Sequence, residues 1–154
     1  MTAGVGHRMR IGPATAGDYP EIEALLREHR LPEAGLRPHL DSTLVAREGT
    51  RVLGAAALEL YDQSALLRSV AVTGTQRGTG LGRALTEAAL DLARARGVDT
   101  VYLLTETAEA FFTHMGFRKT ARSAVAALVR QSLEFTTACP ESAVCMVLAL
   151  APDA

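Results

Sequence analysis

The sequence predicts a single mixed α/β domain of the α+β kind, a mostly antiparallel sheet with flanking helices. Three features lead there. Short β-like runs divided by turn residues fill positions 43–72, a glycine-rich turn then opens a long amphipathic segment, and a compact apolar run occupies 100–105. With 154 residues, 48% hydrophobic and 21% charged, the chain has the size and composition of one domain with a real core. Residues 9–150 are assigned to that domain and 1–8 to a short N-terminal tail.

Along the chain, residues 8–14 alternate (Met9, Ile11) as a first strand. Thr15 or Asp18 then caps a helix with Pro20 in its first turn, and Ile22, Leu25, Leu26 and His29 mark one face. Pro32, Gly35 and Pro38 make 31–39 an irregular loop or short helix. Residues 43–47 and 51–61 are β-like runs separated by Glu48-Gly49-Thr50, which is hairpin spacing. A third run, 65–72, follows Asp62-Gln63-Ser64 and completes an antiparallel meander. Leu81, Leu85, Ala88, Leu92 and Ala95 recur at helical spacing, and Gly97 is placed to end that helix. The almost wholly apolar stretch 100–105 is a strand of the buried parallel type. A helix over 107–115 is stopped by Gly116, and Phe117 begins another strand. Val125, Leu128, Val129 and Leu133 predict an amphipathic helix over 123–135, and 143–150 closes the sheet.

Composition excludes several function classes. A net charge of -1 is not the basic field that nucleic acid or an anionic membrane requires, so neither is expected as a partner. The first ten residues lack the apolar run of a signal peptide, and no segment has the eighteen or so uninterrupted apolar residues that span a bilayer. A cytoplasmic protein is expected. Cys139 and Cys145 read as reduced packing residues, and a Cys-x5-Cys pair without nearby histidines is a poor zinc site, so no metal is expected.

The chemistry is announced by Arg77-Gly78-Thr79-Gly80-Leu81-Gly82-Arg83, directly after the apolar run 66–72. A strand ending in a glycine-rich turn that starts a helix aims several backbone N–H groups and the positive end of the helix dipole at one point, which binds phosphate. Alternate glycines let the main chain approach a ligand closely and adopt positive φ. A Walker loop is excluded, because Gly82 is followed by Arg83-Ala84 and not by Lys-Ser/Thr. A Rossmann turn should follow the first strand of its unit, and this one follows the fourth.

The spacing Arg77-x-x-Gly80-x-Gly82 with Val70-Ala71-Val72 upstream resembles the acetyl-CoA signature of the GCN5-related N-acetyltransferases, the GNAT superfamily. The run 108–117, a short helix entering Gly116-Phe117, is similar to that superfamily's second landmark. The resemblance implies a GNAT fold with splayed central strands, acetyl-CoA as co-substrate, and direct transfer to an amine. It implies donor contacts from Val70, Ala71, Val72, Arg77, Gly78, Thr79, Gly80, Leu81, Gly82, Arg83, Thr105, Phe111 and Phe112, with the Val70 N–H also stabilising the oxyanion. Phe112 stands where many GNATs place a tyrosine general acid, and Thr105 where asparagine is common; water, Thr113 or His114 are the substitute acids.

The string 103–112 further resembles the acetyltransferase domain of N-acetylglutamate synthases, and Arg130-Gln131-Ser132 matches their carboxylate-holding Arg-x-Ser. A guanidinium fork with a hydroxyl suits a carboxylate; a surface position on an amphipathic helix is the alternative for Arg130. The run 134–143 resembles a small single-domain group associated with arsenic-resistance operons, under which Cys139 and Cys145 acquire a second reading as soft arsenic ligands. The resemblance thus implies a small anionic amino-acid-like acceptor, arsenic-containing in one version. Arg68, a charge inside an apolar strand, and Ser69 beside it are candidate acceptor contacts, and Glu59 or Glu106 the route for the amine's proton. A plain cross-strand ion pair between Arg68 and Glu59 is the other reading. A degenerate GNAT that senses acyl-CoA or an arsenical is the alternative function, and pairing of two copies through 143–150 is left open.

Overall fold

The computed structural model describes residues 9–132, 134–138 and 141–150. Residues 1–8, Leu133, Cys139 and Pro140, including the assigned tail and one of the two cysteines, lie outside the described residues. Seven strands form one sheet in the order β1-β2-β3-β4-β5-β7-β6. They are β1 (Met9–Pro13), β2 (Thr43–Glu48), β3 (Arg51–Tyr61), β4 (Ser64–Val72), β5 (Thr100–Thr105), β6 (Arg118–Lys119) and β7 (Val144–Ala149). Every neighbouring pair is antiparallel except β4 and β5. The α-helices among the described residues are α1 (Tyr19–Glu28), α2 (Leu81–Ala95) and α3 (Glu109–His114). No helix of the described residues is long and apolar enough to cross a membrane.

The period-two alternation of the strands assigns their side chains to two faces. Leu53, Ala56, Leu58, Leu67, Val101 and Leu103 bury against α2 and α3. On the opposite face, Val45, Val52, Ala55, Ala57 and Ala71 pack under α1, whose apolar stripe is Ile22, Leu25 and Leu26. The rest of that face, Leu66, Tyr102, Cys145 and Val147, is covered by Val125 and Val129.

That last cover corrects the helix expected over 123–135. The segment consists of 3-10 turns at Arg122–Ala124 and Val129–Gln131 followed by a π turn at Glu134–Ala138. Val125 is extended, with φ -75° and ψ 142°, so the β-branched residue that seemed to continue a helical stripe breaks it instead. Leu128, read as apolar face, is 47% exposed. Strand β7 also differs from a simple closing edge: it inserts between β5 and the short β6.

Two irregularities position the site. The parallel β4–β5 ladder spans only Ser64↔Thr100, Ala65↔Val101 and Leu66↔Tyr102, after which the strands part. On the other side of β4, Ala55 faces Ala71 while Ala57 faces Arg68, so Ser69 and Val70 together oppose Ala56. This is a β-bulge, and Ser69 takes the left-handed conformation within it, at φ +58°.

Candidate active site

The parting of β4 from β5 opens a cleft of about 490 Å³ lined by both strands, by the end of α1 and by the start of α3. From β4 come Leu67, Arg68, Ser69 and Val70, and from β5 onward Leu103 to Ala108. His29 to Pro32 and Glu134 wall it on the α1 face, and Phe112 on the α3 face. Ser69 and Val70 have no register partner on either neighbouring strand, so this stretch of main chain is available to a ligand.

Beyond β4 the chain turns through Gly78 (φ +78°) and Gly80 (φ +86°), and Gly80 is the N-cap of α2. A side chain at either glycine would meet nothing within 4 Å, so the space they leave is open. The first free amides of α2 therefore face an unfilled cradle, which fits the diphosphate of a nucleotide-type donor. Arg77 and Arg83 flank it exposed, Arg83 lying 3.8 Å from Glu87. Thr79 turns its hydroxyl inward, donating to the Gln76 carbonyl at 2.7 Å. Leu81 is buried as the first core residue of α2.

On the α3 side, the Thr105 hydroxyl accepts the Ala108 N–H at 3.0 Å and so shapes the turn into α3. Phe112 is buried edge-on between Phe111 and Phe117, with ring centroids 5.0 and 5.7 Å away. Its phenyl ring reaches the cleft where a hydroxyl could have acted as an acid. Neither substitute lies there: Thr113 is exposed and back-bonds to the Glu109 carbonyl at 2.8 Å, and His114 is exposed in a separate surface groove.

The α1 side of the cleft is built from side chains. Arg68 is buried, and each edge of its guanidinium is occupied: Nη1 bonds Glu59 at 2.8 Å, Nη2 donates to the Pro32 carbonyl at 3.0 Å, and Nε lies 3.1 Å from the Ser69 hydroxyl and 3.4 Å from a Glu134 carboxylate oxygen. Glu59 in turn accepts from the Tyr61 hydroxyl and lies 3.8 Å from His39. Burial first, then the hydrogen bond and charge of Glu59, push the Tyr61 phenol well above its ordinary value, so it stays a donor. Glu59 thus does not line the cleft; of its two readings, the geometry shows the ion pair.

Arg130 is exposed and Ser132, though buried, spends its hydroxyl on the Glu134 N–H; neither lines the cleft. Glu106 does, at the exposed rim. Two residues of the cleft carried no signal of their own in the sequence. Glu134 was hidden in a supposed helix, and His29, read only as part of an apolar face, caps α1 and donates from Nε2 to the Val72 carbonyl at 2.7 Å. Cys145 is buried among Leu66, Tyr102 and Val129, and burial raises its thiol above the usual range despite Arg122 nearby.

A glycine-rich turn that caps α2 thus follows the strand whose parting from β5 opens the cleft. The chain belongs to the acetyltransferase (GNAT) domain family, whose family model matches residues 39–119. Over 85 residues it is 41% identical to mycothiol acetyltransferase of Beutenbergia cavernae, a match covering 53% of this chain and 26% of that one. Among solved structures it is similar to N-acetylglutamate synthase from Neisseria gonorrhoeae complexed with coenzyme A and N-acetyl-glutamate (TM-score 0.80, 21% identity, 94% of this chain, 35% of that). It is also similar to Rv2747 from Mycobacterium tuberculosis in complex with CoA and NLQ (TM-score 0.78, 24% identity, 92% and 99%). The chain therefore spans about a quarter of the curated relative and about a third of the synthase.

Proposed function

We propose that this chain transfers acetyl from acetyl-CoA directly to the amine of a small amino-acid-like acceptor. The observation that carries the reading is the cleft itself, which passes between β4 and β5 and joins the glycine cradle's side of the sheet to the α1 face. When bound, acetyl-CoA supplies the thioester. Gly78 to Arg83 would hold its phosphates, and the main chain of Val70 to Val72 its pantetheine arm, with Ala71 packed beneath. The Val70 N–H would receive negative charge developing on an acyl oxygen, a role supported by its lack of a β-pairing partner at the bulge. No side chain is needed to protonate the leaving sulfur, because a thiol of pKa near about 8.5 leaves readily as thiolate.

The acceptor's acidic group is supported by the resemblance to N-acetylglutamate synthases. Within the cleft, Arg68 and Ser69 line the acceptor half and the exposed Arg30 stands at its mouth, which suits a ligand with one carboxylate turned outward. An arsenic-containing acceptor rests on sequence resemblance alone, since Cys145 packs in the core and Cys139 lies outside the described residues. Calorimetry with CoA, followed by thiol release from acetyl-CoA with a panel of acidic and neutral amino acids, tests the reading. Binding with turnover is expected; binding without turnover of any amine would favour a sensing module, and no uptake at millimolar CoA would remove the proposal.

A further inference from the structure

From the geometry we infer that Glu134 seats the acceptor's ammonium and takes its proton, an inference that rests on the reading above. The starting point is what the acceptor half presents to a ligand. Arg68, the buried cation of the cleft, directs its donors at Glu59, Pro32 and Ser69 of its own chain, and its remaining contact is Glu134 at 3.4 Å. A guanidinium so committed orients its neighbours and does not reach for an incoming anion. The buried anionic group that lines this half is the Glu134 carboxylate, which keeps its Arg68 contact and accepts through its remaining lone pairs.

Glu134 is 3% exposed, lines the cleft on the α1 face, and opens the π turn that covers this side of β5. Among the contacts that hold it, the Ser132 hydroxyl accepts its N–H at 3.1 Å, and the Arg68 Nε lies 3.4 Å from the carboxylate. Among groups facing it, Arg68 comes from β4, Glu59 and Tyr61 stand behind Arg68 on β3, His29 and Arg30 lie across the cleft at the end of α1, and Glu106 is at the rim. Glu106 is exposed, so water competes there for any proton. A desolvated, oriented carboxylate is the better seat for an ammonium and the better base.

The step balances as follows. The ammonium gives one proton to Glu134, and the free amine nitrogen bonds the acetyl carbon as the carbon–sulfur bond breaks. The sulfur leaves as thiolate, and the amide nitrogen's second proton follows to solvent through the cleft mouth.

Three proteins decide it: wild type, Glu134→Gln and Glu134→Asp, each with acetyl-CoA and L-glutamate or whichever panel amino acid wild type acetylates. With CoA affinity unchanged, Glu134→Gln should lose about 100-fold or more in kcat/KM at pH 7 and bind that amino acid at least about tenfold more weakly beside CoA, by calorimetry. Its kcat/KM should then rise tenfold per pH unit toward the amine pKa, where wild type is already level. Glu134→Asp, which keeps the charge opposite Arg68, should fold as wild type does and recover part of the rate. Glu134→Gln within about threefold of wild type in both rate and amino-acid binding would overturn the assignment, as would a Glu134→Asp protein that folds and binds CoA but acts no faster than Glu134→Gln. Wild type that binds no CoA, or acetylates no amine, sinks the functional reading itself.

Discussion

The two halves of the cleft are made of different material. The half proposed for the donor, Val70 to Arg83, is main chain: a bulge, two left-handed glycines and the opening amides of α2. The acceptor half is side chain: one buried guanidinium spanning two carboxylates, a carbonyl and a hydroxyl drawn from four separate segments. A main-chain site tolerates change in most side chains and is sensitive to φ, whereas an ionic hub is sensitive to every member.

The largest expected effect falls on the hub. Arg68→Met leaves Glu59 and Glu134 buried without their shared cation and should cost about 3–5 kcal/mol in urea unfolding. A loss below about 1 kcal/mol would mean the hub is not built as described, and the contrast between the halves would go with it. The donor half should answer differently. Gly80→Ala meets no steric obstacle but must hold φ +86°, costing about 1–2 kcal/mol and weakening CoA. Gly82→Ala, inside α2 and only 3.9 Å from the Phe111 ring, should leave stability equal or higher by about 0.5–1 kcal/mol while CoA affinity falls about tenfold. Stability and binding moving together at Gly82 would show that the close approach of backbone to donor is not what this glycine provides.

The smallest effect is a control outside the cleft. Burial alone would raise the Asp18 carboxyl, but the Thr15 N–H and the Arg47 guanidinium outweigh it and hold the group below its ordinary 3.8. A depressed folded value means the stabilisation is complete above the unfolded pKa and fades as pH falls through the folded one. Asp18→Asn should therefore destabilise by about 1 kcal/mol or less near pH 7, with the gap to wild type closing as pH falls through the depressed folded value, and leave CoA affinity unmoved. A gap that persists in acid would assign the loss to packing and not to charge.

The same contrast explains what could be read in advance. Strand alternation, hairpin turns and the glycine spacing are local signals, so the meander, α2 and the donor cradle were legible from residue order. Arg68 and Glu59 sit on adjacent strands, which made their pairing foreseeable. Glu134 was not, because it meets Arg68 from 66 positions further along through a segment of 3-10 and π turns that has no period to read. The apolar spacing of Val125, Leu128 and Val129 imitated a helix, yet two of the three are buried and Leu128 points to solvent. His29 was visible only as a face marker, since its bond to a carbonyl 43 residues away is a product of tertiary packing.

The left-handed Ser69 carries a consequence for how such a wall could arise or vanish. Removing one residue from that strand would restore even pairing with β3 along its length, leaving Ala71 opposite Ala55 and turning Val70's amide back toward an ordinary ladder. The fold would still have its sheet and its helices. The gap between β4 and β5 would also remain, but its β4 wall would lose the unpaired stretch of main chain, so that bare backbone comes down to a single supernumerary amino acid.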